Sequence, residues 1–318
     1  MKERITSVQT SMLGIANKAK SDKRYRFRNL YRELNEELLL DSWRLLRKDA
    51  AVGVDRVSAA AYEANLTENI KQLVARLKRK SYRAKLVRRH YIPKGNGDVR
   101  PLGIPAIEDK LLQLAVKRLL EAIYEQDFLS CSYGYRPLVG ARTAVDDLRV
   151  KLQFGGYHHL VEADIKGFFD NLSHEWLMRM LAERIDDEPF LRLIKKWLKA
   201  GVLDTDGKVL RPESGTPQGG IVSPVLANVY LHYALDLWFE RVFQRRCKGA
   251  AFLHRYADDF VCGFGRAEEA QRFYNELEER LRKFGLELAP DKTRVIPFSR
   301  IARERRALSF WVSSFVGV

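Results

Sequence analysis

Phe252-Leu253-His254-Arg255-Tyr256-Ala257-Asp258-Asp259-Phe260-Val261-Cys262-Gly263-Phe264 is the stretch that decides the fold. Apolar residues flank two adjacent carboxylates on both sides, and short apolar runs about a polar break favour paired strands. The segment therefore reads as a β-hairpin with Asp258 and Asp259 at its tip. A carboxylate there can reach solvent, a metal ion or a polyphosphate. Taken alone, Asp-Asp between apolar residues more often marks a solvated turn.

A second acid shifts the balance. In Leu160-Val161-Glu162-Ala163-Asp164-Ile165-Lys166-Gly167-Phe168-Phe169-Asp170, another apolar run ends in a carboxylate. A strand here places Asp164 at its end, able to approach the hairpin tip. Two Mg²⁺ ions about 3.5–4 Å apart need shared carboxylates from different strands, completed by backbone and phosphate oxygens. Asp164 and Asp258 suit that arrangement, and Asp259 adds negative charge beside them. The matching reaction class is in-line attack of a 3′-hydroxyl on an α-phosphate, with pyrophosphate leaving.

The ordered motifs extend well beyond these acids. Tyr91-Ile92-Pro93-Lys94 is followed by Arg100-Pro101-Leu102-Gly103-Ile104-Pro105, then Ser132-Tyr133-Gly134-Tyr135-Arg136-Pro137. After Asp164 come Gly215-Thr216-Pro217-Gln218-Gly219-Gly220, Tyr256-Ala257-Asp258-Asp259 and Gly285-Leu286-Glu287-Leu288-Ala289-Pro290-Asp291-Lys292-Thr293. Together they resemble the reverse transcriptases encoded by bacterial group II introns, across residues 25–300 in unbroken order. Each motif alone is weak to moderate; the ordered set is specific.

The resemblance implies an α+β fold with the fingers and palm of a right-hand polymerase, the palm an antiparallel sheet backed by helices. It implies an RNA-directed DNA polymerase that adds dNTPs to a DNA primer on an RNA template, intron RNA in particular, using two Mg²⁺ ions for which Mn²⁺ could substitute. Asp164, Asp258 and Asp259 would be catalytic, with a backbone oxygen at Ile165 joining them as metal ligands. Lys94, Arg100, Phe169, Gln218 and Lys292 would bind the dNTP, Phe169 as a ring that blocks a 2′-hydroxyl. Arg136, Pro217, Gly219 and Tyr256 would meet the template or primer.

Several of these residues carry independent physical reasons. Cations flanking a fingertip hairpin suit a triphosphate, with Arg binding a phosphate through paired donors. Gln218 offers hydrogen bonds without charge, and the adjoining glycines let backbone approach a ligand closely. Lys292 near a leaving pyrophosphate suits a general acid or charge partner. Each also has a plainer reading: a solvated basic tip, a glycine-rich loop, a surface lysine or, for Phe168-Phe169, an aromatic core pair.

Charge points the same way. The chain of 318 residues carries a formal net charge of +15. Residues 1–100 hold 24 Lys and Arg against 11 Asp and Glu, a surplus of 13, so nearly all the excess lies in the first third. Aromatic residues Tyr25, Phe27, Tyr31, Tyr82 and Tyr91 are interleaved with it, as on a nucleic-acid track. Charge alone does not separate RNA from DNA. No run of about 18 apolar residues and no apolar leader follows Met1-Lys2-Glu3-Arg4, so no membrane span or secretion is expected. Cys131, Cys247 and Cys262 are too few and scattered for a disulfide framework or zinc site. They read as buried thiols in a cytoplasmic protein. His158-His159 lacks partners at zinc-ligand spacing.

Periodicity predicts helices over 26–50, 59–80, 107–126, 140–153, 173–183 with Ser173 as N-cap, 188–200, from Pro224 to about 245, and 266–284. A strand over 84–93 turns at Lys94-Gly95-Asn96-Gly97-Asp98, and a small hairpin is expected about Asp206-Gly207. From Leu160 onward the mixture indicates a sheet with helices on one face. The domain reading is a basic N-terminal extension with RNA-binding fingers over 1–159, and a mainly palm, catalytic region over 160–300 with some finger helices interleaved. An aberrant tail follows over 301–318, with neither thumb nor endonuclease domain.

That tail, Ser309-Phe310-Trp311-Val312-Ser313-Ser314-Phe315-Val316-Gly317-Val318, does not match the family's next strand. One set of its possible codons, read from the third base, encodes Phe-Leu-Gly-Phe-Glu-Phe-Arg-Trp-Gly, the pattern expected there. A frameshift after about residue 300 is the favoured explanation; a divergent end and an artificial boundary of the cloned piece are the others. Two further functions stay open: a catalytically weak relic that binds RNA as a maturase fragment, and a reverse transcriptase of retron or defence type.

Overall fold

The computed structural model describes residues 7–93, 99–211, 213–216 and 219–298. The expectations for 94–98, for Pro217 and Gln218 and for the 301–318 tail therefore lie outside the described residues. The chain forms two compact units, one built from the stretches up to Asp127 and Leu172–Leu226, the other from Phe128–Asn171 and the stretch from Ala227 onward. Nine strands are named in chain order among the described residues.

In the first unit, β1 (Val87–Pro93) pairs antiparallel with β2 (Val99–Ile104). Numbering in chain order, β3 and β4 belong to the second unit; β5 (Val202–Leu203) runs parallel to β1 and pairs antiparallel with β6 (Val209–Leu210). The sheet order is β2-β1-β5-β6. Helix Ile107–Tyr124 is the spine of this unit: Leu111, Leu112, Ala115, Val116, Leu119, Leu120 and Ile123 are fully buried. Helices Ser7–Ser21 and Glu36–Leu45 pack on it.

Two predicted helices are shorter or divided. Over 26–50 the regular helix is only Glu36–Leu45, preceded by a tight turn at Leu30–Glu33. Asn35 causes the restart: extended, it accepts the amide of Leu38, because a short polar side chain satisfies a free N–H at a helix start. Over 59–80 the helix divides into Ala59–Glu63 and Leu66–Lys78. Helix Ser7–Ser21 had no counterpart in the sequence reading. At 174 the expected cap is present, with the Ser173 hydroxyl accepting from Trp176 N.

In the second unit, β3 (Ser132–Tyr133), β4 (His159–Ala163), β7 (Ala251–Tyr256), β8 (Asp259–Phe264) and β9 (Arg294–Pro297) form a sheet of order β3-β7-β8-β4-β9. All its pairings are antiparallel except the short β3·β7 pair. Helices cover both faces rather than one. Val261 joins Leu148, Leu152, Leu160 and Phe252 beneath helix Ala141–Phe154. Phe264, on the opposite side of β8 by strand alternation, packs against Phe239, Phe243 and Phe273. Residues apolar at both parities of β8 forced this: a strand with Phe260, Cys262 and Phe264 on one side and Val261 on the other has no face to give to water.

Helix Ser223–Leu231 continues through two wide π turns, His232–Asp236 and Phe239–Phe243. Of the three cysteines only Cys262 is fully buried; Cys131 and Cys247 are half-buried. Among the described residues, no helix is long and apolar enough to cross a membrane.

Candidate active site

The hairpin read first from the sequence closes on the pair Tyr256↔Asp259, leaving Ala257 and Asp258 as its two-residue loop. Ala257 stands at φ 57°. An L-residue there brings Cβ close to the following carbonyl, a cost of about 1–2 kcal/mol. The surroundings hold it in place: Arg255 Nη1 donates to the Ala257 carbonyl at 2.8 Å, and Ala257 itself is buried.

Asp164 follows directly after β4. The register Ala163↔Phe260 sets the end of β4 beside the start of β8, which carries Asp259. The chain around Asp164 is pinned by the Gly285–Thr293 segment. Ala289 N donates to the Asp164 carbonyl at 2.9 Å, Lys166 N donates to Glu287 O at 2.9 Å, and buried Ile165 bridges Leu288. From the same segment, Lys292 Nζ reaches Asp164 Oδ2 at 2.7 Å.

The electrostatics tie the acids together. Burial first, then the charges of Asp258 and Asp164, push the Asp259 carboxyl up to about 7, against the opposing pull of Lys292. The Lys292 ammonium is raised above its ordinary value, chiefly by its hydrogen bond to Asp164. Among the described residues, no three His, Cys, Asp or Glu side chains close into a ready-made metal cage. Asp259 thus feels the negative charge of both Asp258 and Asp164, with Lys292 as the counter-charge.

Carboxylates are chemically suited to Mg²⁺. That ion prefers hard oxygen ligands and keeps several waters, so it is usually held by one or two carboxylates plus substrate phosphates. The negative field on Asp259 from Asp258 and Asp164, opposed by Lys292, is of the kind that a divalent cation relieves.

Other residues singled out from sequence fall as follows. Phe169 is half-buried, with its ring edge-on to Tyr135 at 6.2 Å and to Phe168 at 5.5 Å. Tyr256 ends β7 and packs on the Leu148–Phe252 cluster. Arg136 is turned inward on its own loop, donating to Leu129 O and Ser132 O and lying over Phe128. In the first unit, Arg100 is exposed on β2 opposite Ile92. Gly219 sits at φ 103°, and a Cβ there would stand 2.5 Å from Gly103 O, so only glycine fits. Gly215 is held by its amide to Leu172 O at 2.7 Å and by its carbonyl to His174 Nε2 at 2.6 Å. Lys94, Pro217 and Gln218 lie outside the described residues.

The sequence reading missed Arg255. This side chain is fully buried, as is its partner Asp236. Nε and Nη2 bind the two Asp236 oxygens at 2.8 and 2.6 Å; Nη2 also reaches Ser132 Oγ at 2.7 Å, and Nη1 reaches Asn228 Oδ1 at 3.0 Å. Burial works against its charge, but Asp236 more than offsets it and keeps the guanidinium protonated. A charged residue inside an apolar strand was the available signal. Nothing in the spacing said that its acid would be Asp236.

Residues 92–310 match the family model described as reverse transcriptase (RNA-dependent DNA polymerase). Protein YkfC of Escherichia coli K12 is 33% identical over 279 residues, covering 78% of this chain and 73% of YkfC. The group II intron-encoded protein LtrA of Lactococcus lactis subsp. cremoris is 47% identical over 166 residues, covering 52% of this chain and only 27% of LtrA. Telomerase from Candida albicans, solved with a TWJ fragment of telomeric RNA, shares the fold at a TM-score of 0.52 and 15% identity, over 73% of this chain and 47% of that one. The chain belongs to the reverse transcriptase family, and it spans only about a quarter of the length of the LtrA relative it matches.

Proposed function

We propose that the chain is an RNA-directed DNA polymerase that joins dNTPs to the 3′-hydroxyl of a DNA primer on an RNA template, with intron RNA as its natural ligand. The observation that carries this is the coupled set Asp164, Asp258 and Asp259, gathered by two strand ends of one sheet with Lys292 against it. Asp164, Asp258 and Asp259, with the backbone oxygen of Ile165, would hold Mg²⁺ or Mn²⁺. When bound, such ions lower the pKa of the attacking hydroxyl and stabilise charge on the leaving pyrophosphate.

The chain's own groups do the rest. Phe169, fixed by Tyr135 and Phe168, presents a rigid ring edge that excludes a ribose 2′-hydroxyl. Lys292 keeps its proton while paired with Asp164, and offers it to a phosphate oxygen once the carboxylate is otherwise neutralised. Lys94 and Arg100 bind triphosphate oxygens, and Gln218 contacts the nucleotide. Arg136 acts on the template by bracing the loop Leu129–Ser132, while Pro217, Gly219 and Tyr256 line the primer–template path. Residues 1–159 serve as basic N-terminal extension and RNA-binding fingers and 160–300 mainly as palm, with some finger helices interleaved, in a protein of the bacterial cytoplasm.

Primer extension with Mg²⁺ on an RNA template, comparing the chain with Asp258→Ala, is the test. The expected outcome is synthesis that falls about a thousandfold or more in the variant. RNA binding without any extension by the parent would sink the polymerase reading and leave that of a maturase-type RNA-binding fragment.

A further inference from the structure

The five N–H groups of Arg255 are all used: two go to Asp236, and one each to Asn228, Ser132 and the carbonyl of Ala257. Four of these acceptors are side-chain atoms on three different elements: β3, helix Ser223–Leu231 and the wide turn His232–Asp236. The fifth is the backbone of the turn that carries Asp258. Asn228 is itself oriented, since its Nδ2 donates to Gly134 O at 3.0 Å. Burying an arginine and an aspartate together is costly and is often no better for stability than an apolar pair. An ion pair placed inside the sheet therefore calls for a reason other than holding the fold together.

The turn supplies that reason. Its first loop residue, Ala257, occupies a backbone region that alanine disfavours. Within the loop, its carbonyl is the group that the guanidinium grips. The wide turn at His232–Asp236 adds a residue to the helix, and such insertions are frequent at functional sites. Asp236 ends that turn and bonds Arg255 with both oxygens, fixing the plane of the guanidinium and hence the direction of Nη1.

We propose that Arg255 is a positioning residue. Clamped by Asp236, Asn228 and Ser132, it locks the Ala257 carbonyl so that the Asp258–Asp259 backbone is held ready for the reaction. This rests on the polymerase reading above but makes its own claim about the turn. A buried arginine serving only as charge balance would be replaceable by lysine. One serving as a five-point clamp would not, because an ammonium is a point charge with three donors and no fixed plane.

The experiment compares the parent with Arg255→Lys, Ser132→Ala and the apolar double variant Arg255→Met with Asp236→Leu. The double variant keeps a folded core should the lysine variant fail to fold. Amide exchange is followed in peptides covering Tyr256–Phe260 and, as a control, β4. Steady-state extension is read as kcat and as KM for primer–template. The clamp predicts exchange at the turn rising about tenfold with β4 unchanged. It predicts kcat falling about a hundredfold in the lysine and double variants, with KM within about threefold. Ser132→Ala should show a smaller change of the same kind. Folded variants with parental turn exchange and parental kcat would overturn the clamp. If the parent extends no primer, the polymerase reading fails separately and the exchange measurement alone decides: raised exchange at the turn supports the clamp, and parental exchange refutes it.

Discussion

Two hairpins in this protein have ladders of the same length and opposite surroundings. The β1–β2 ladder pairs Arg88↔Ile104 through Pro93↔Val99, and the β7–β8 ladder pairs Ala251↔Phe264 through Tyr256↔Asp259, six couples each. The first leaves its core almost at once: Val87 is buried, and from His90 onward β1 is exposed. The second is buried along nearly its whole length. Backbone pairing is the same in both, so the difference lies in the side chains. His90 and Arg100 leave the first exposed to water, while Phe252, Leu253, Phe260, Val261 and Cys262 draw the second into a two-sided core. A hairpin immersed on both faces holds a charged tip in one place. A hairpin held mainly by its own ladder can tolerate change.

The sharpest way to break this contrast is salt. If the basic first hundred residues form a polyanion surface, RNA affinity should fall about a thousandfold between 50 and 200 mM salt, because each phosphate contact releases a condensed counterion. Filter binding across a salt series checks this, and a flat response would leave the exposed hairpin as mere solvated surface. The buried hairpin should respond to volume instead. A Cβ on Gly263 would stand 2.1 Å from the Phe252 ring, so Gly263→Ala should cost about 2 kcal/mol in urea unfolding. Arg100→Ala should cost less than about 0.5 kcal/mol of stability yet raise the KM for dNTP about tenfold, or about 1.4 kcal/mol.

The smallest expected effect is a pH dependence. His254 is fully buried in β7, 3.7 Å from Asp147, and burial pushes it down to about 3. Its folded value lies below the ordinary 6.5, so the unfolded chain binds the proton first. The stability it contributes is present above about pH 6.5 and is lost as pH falls towards 3. Between pH 7 and 5.5 the loss should be about 1 kcal/mol, and His254→Phe should flatten that slope in urea titrations at the two pH values.

The sequence was most readable where one local rule governs one element. The Tyr256-Ala257-Asp258-Asp259 turn, the strand that ends just before Asp164 and the Ser173 cap each follow from a few adjacent residues. Legibility fell where local signals compete or a distant partner decides. Asn35 interrupts an otherwise apolar-periodic run because a cap outweighs modest helical propensity. Helices on both faces of the palm sheet follow from apolar residues at both strand parities, a pattern that a hairpin reading by itself does not weigh. In the site, the aspartates were visible as acids at strand ends, but the Lys292–Asp164 pair spans 128 residues. The partners of Arg255 are scattered from Ser132 to Asp236, so no spacing announces them.

The wide turns at His232–Asp236 and Phe239–Phe243 have a consequence for comparing genes. Each contains a residue more than a regular helix would need to cover the same rise. A homologue with an uninterrupted helix at either place would lack that residue, and its alignment to this chain would need a one-position gap inside a helix. Methods that forbid gaps within helices would shift everything downstream by one, pairing Asp236 or Phe243 with the wrong column and hiding their ancestry.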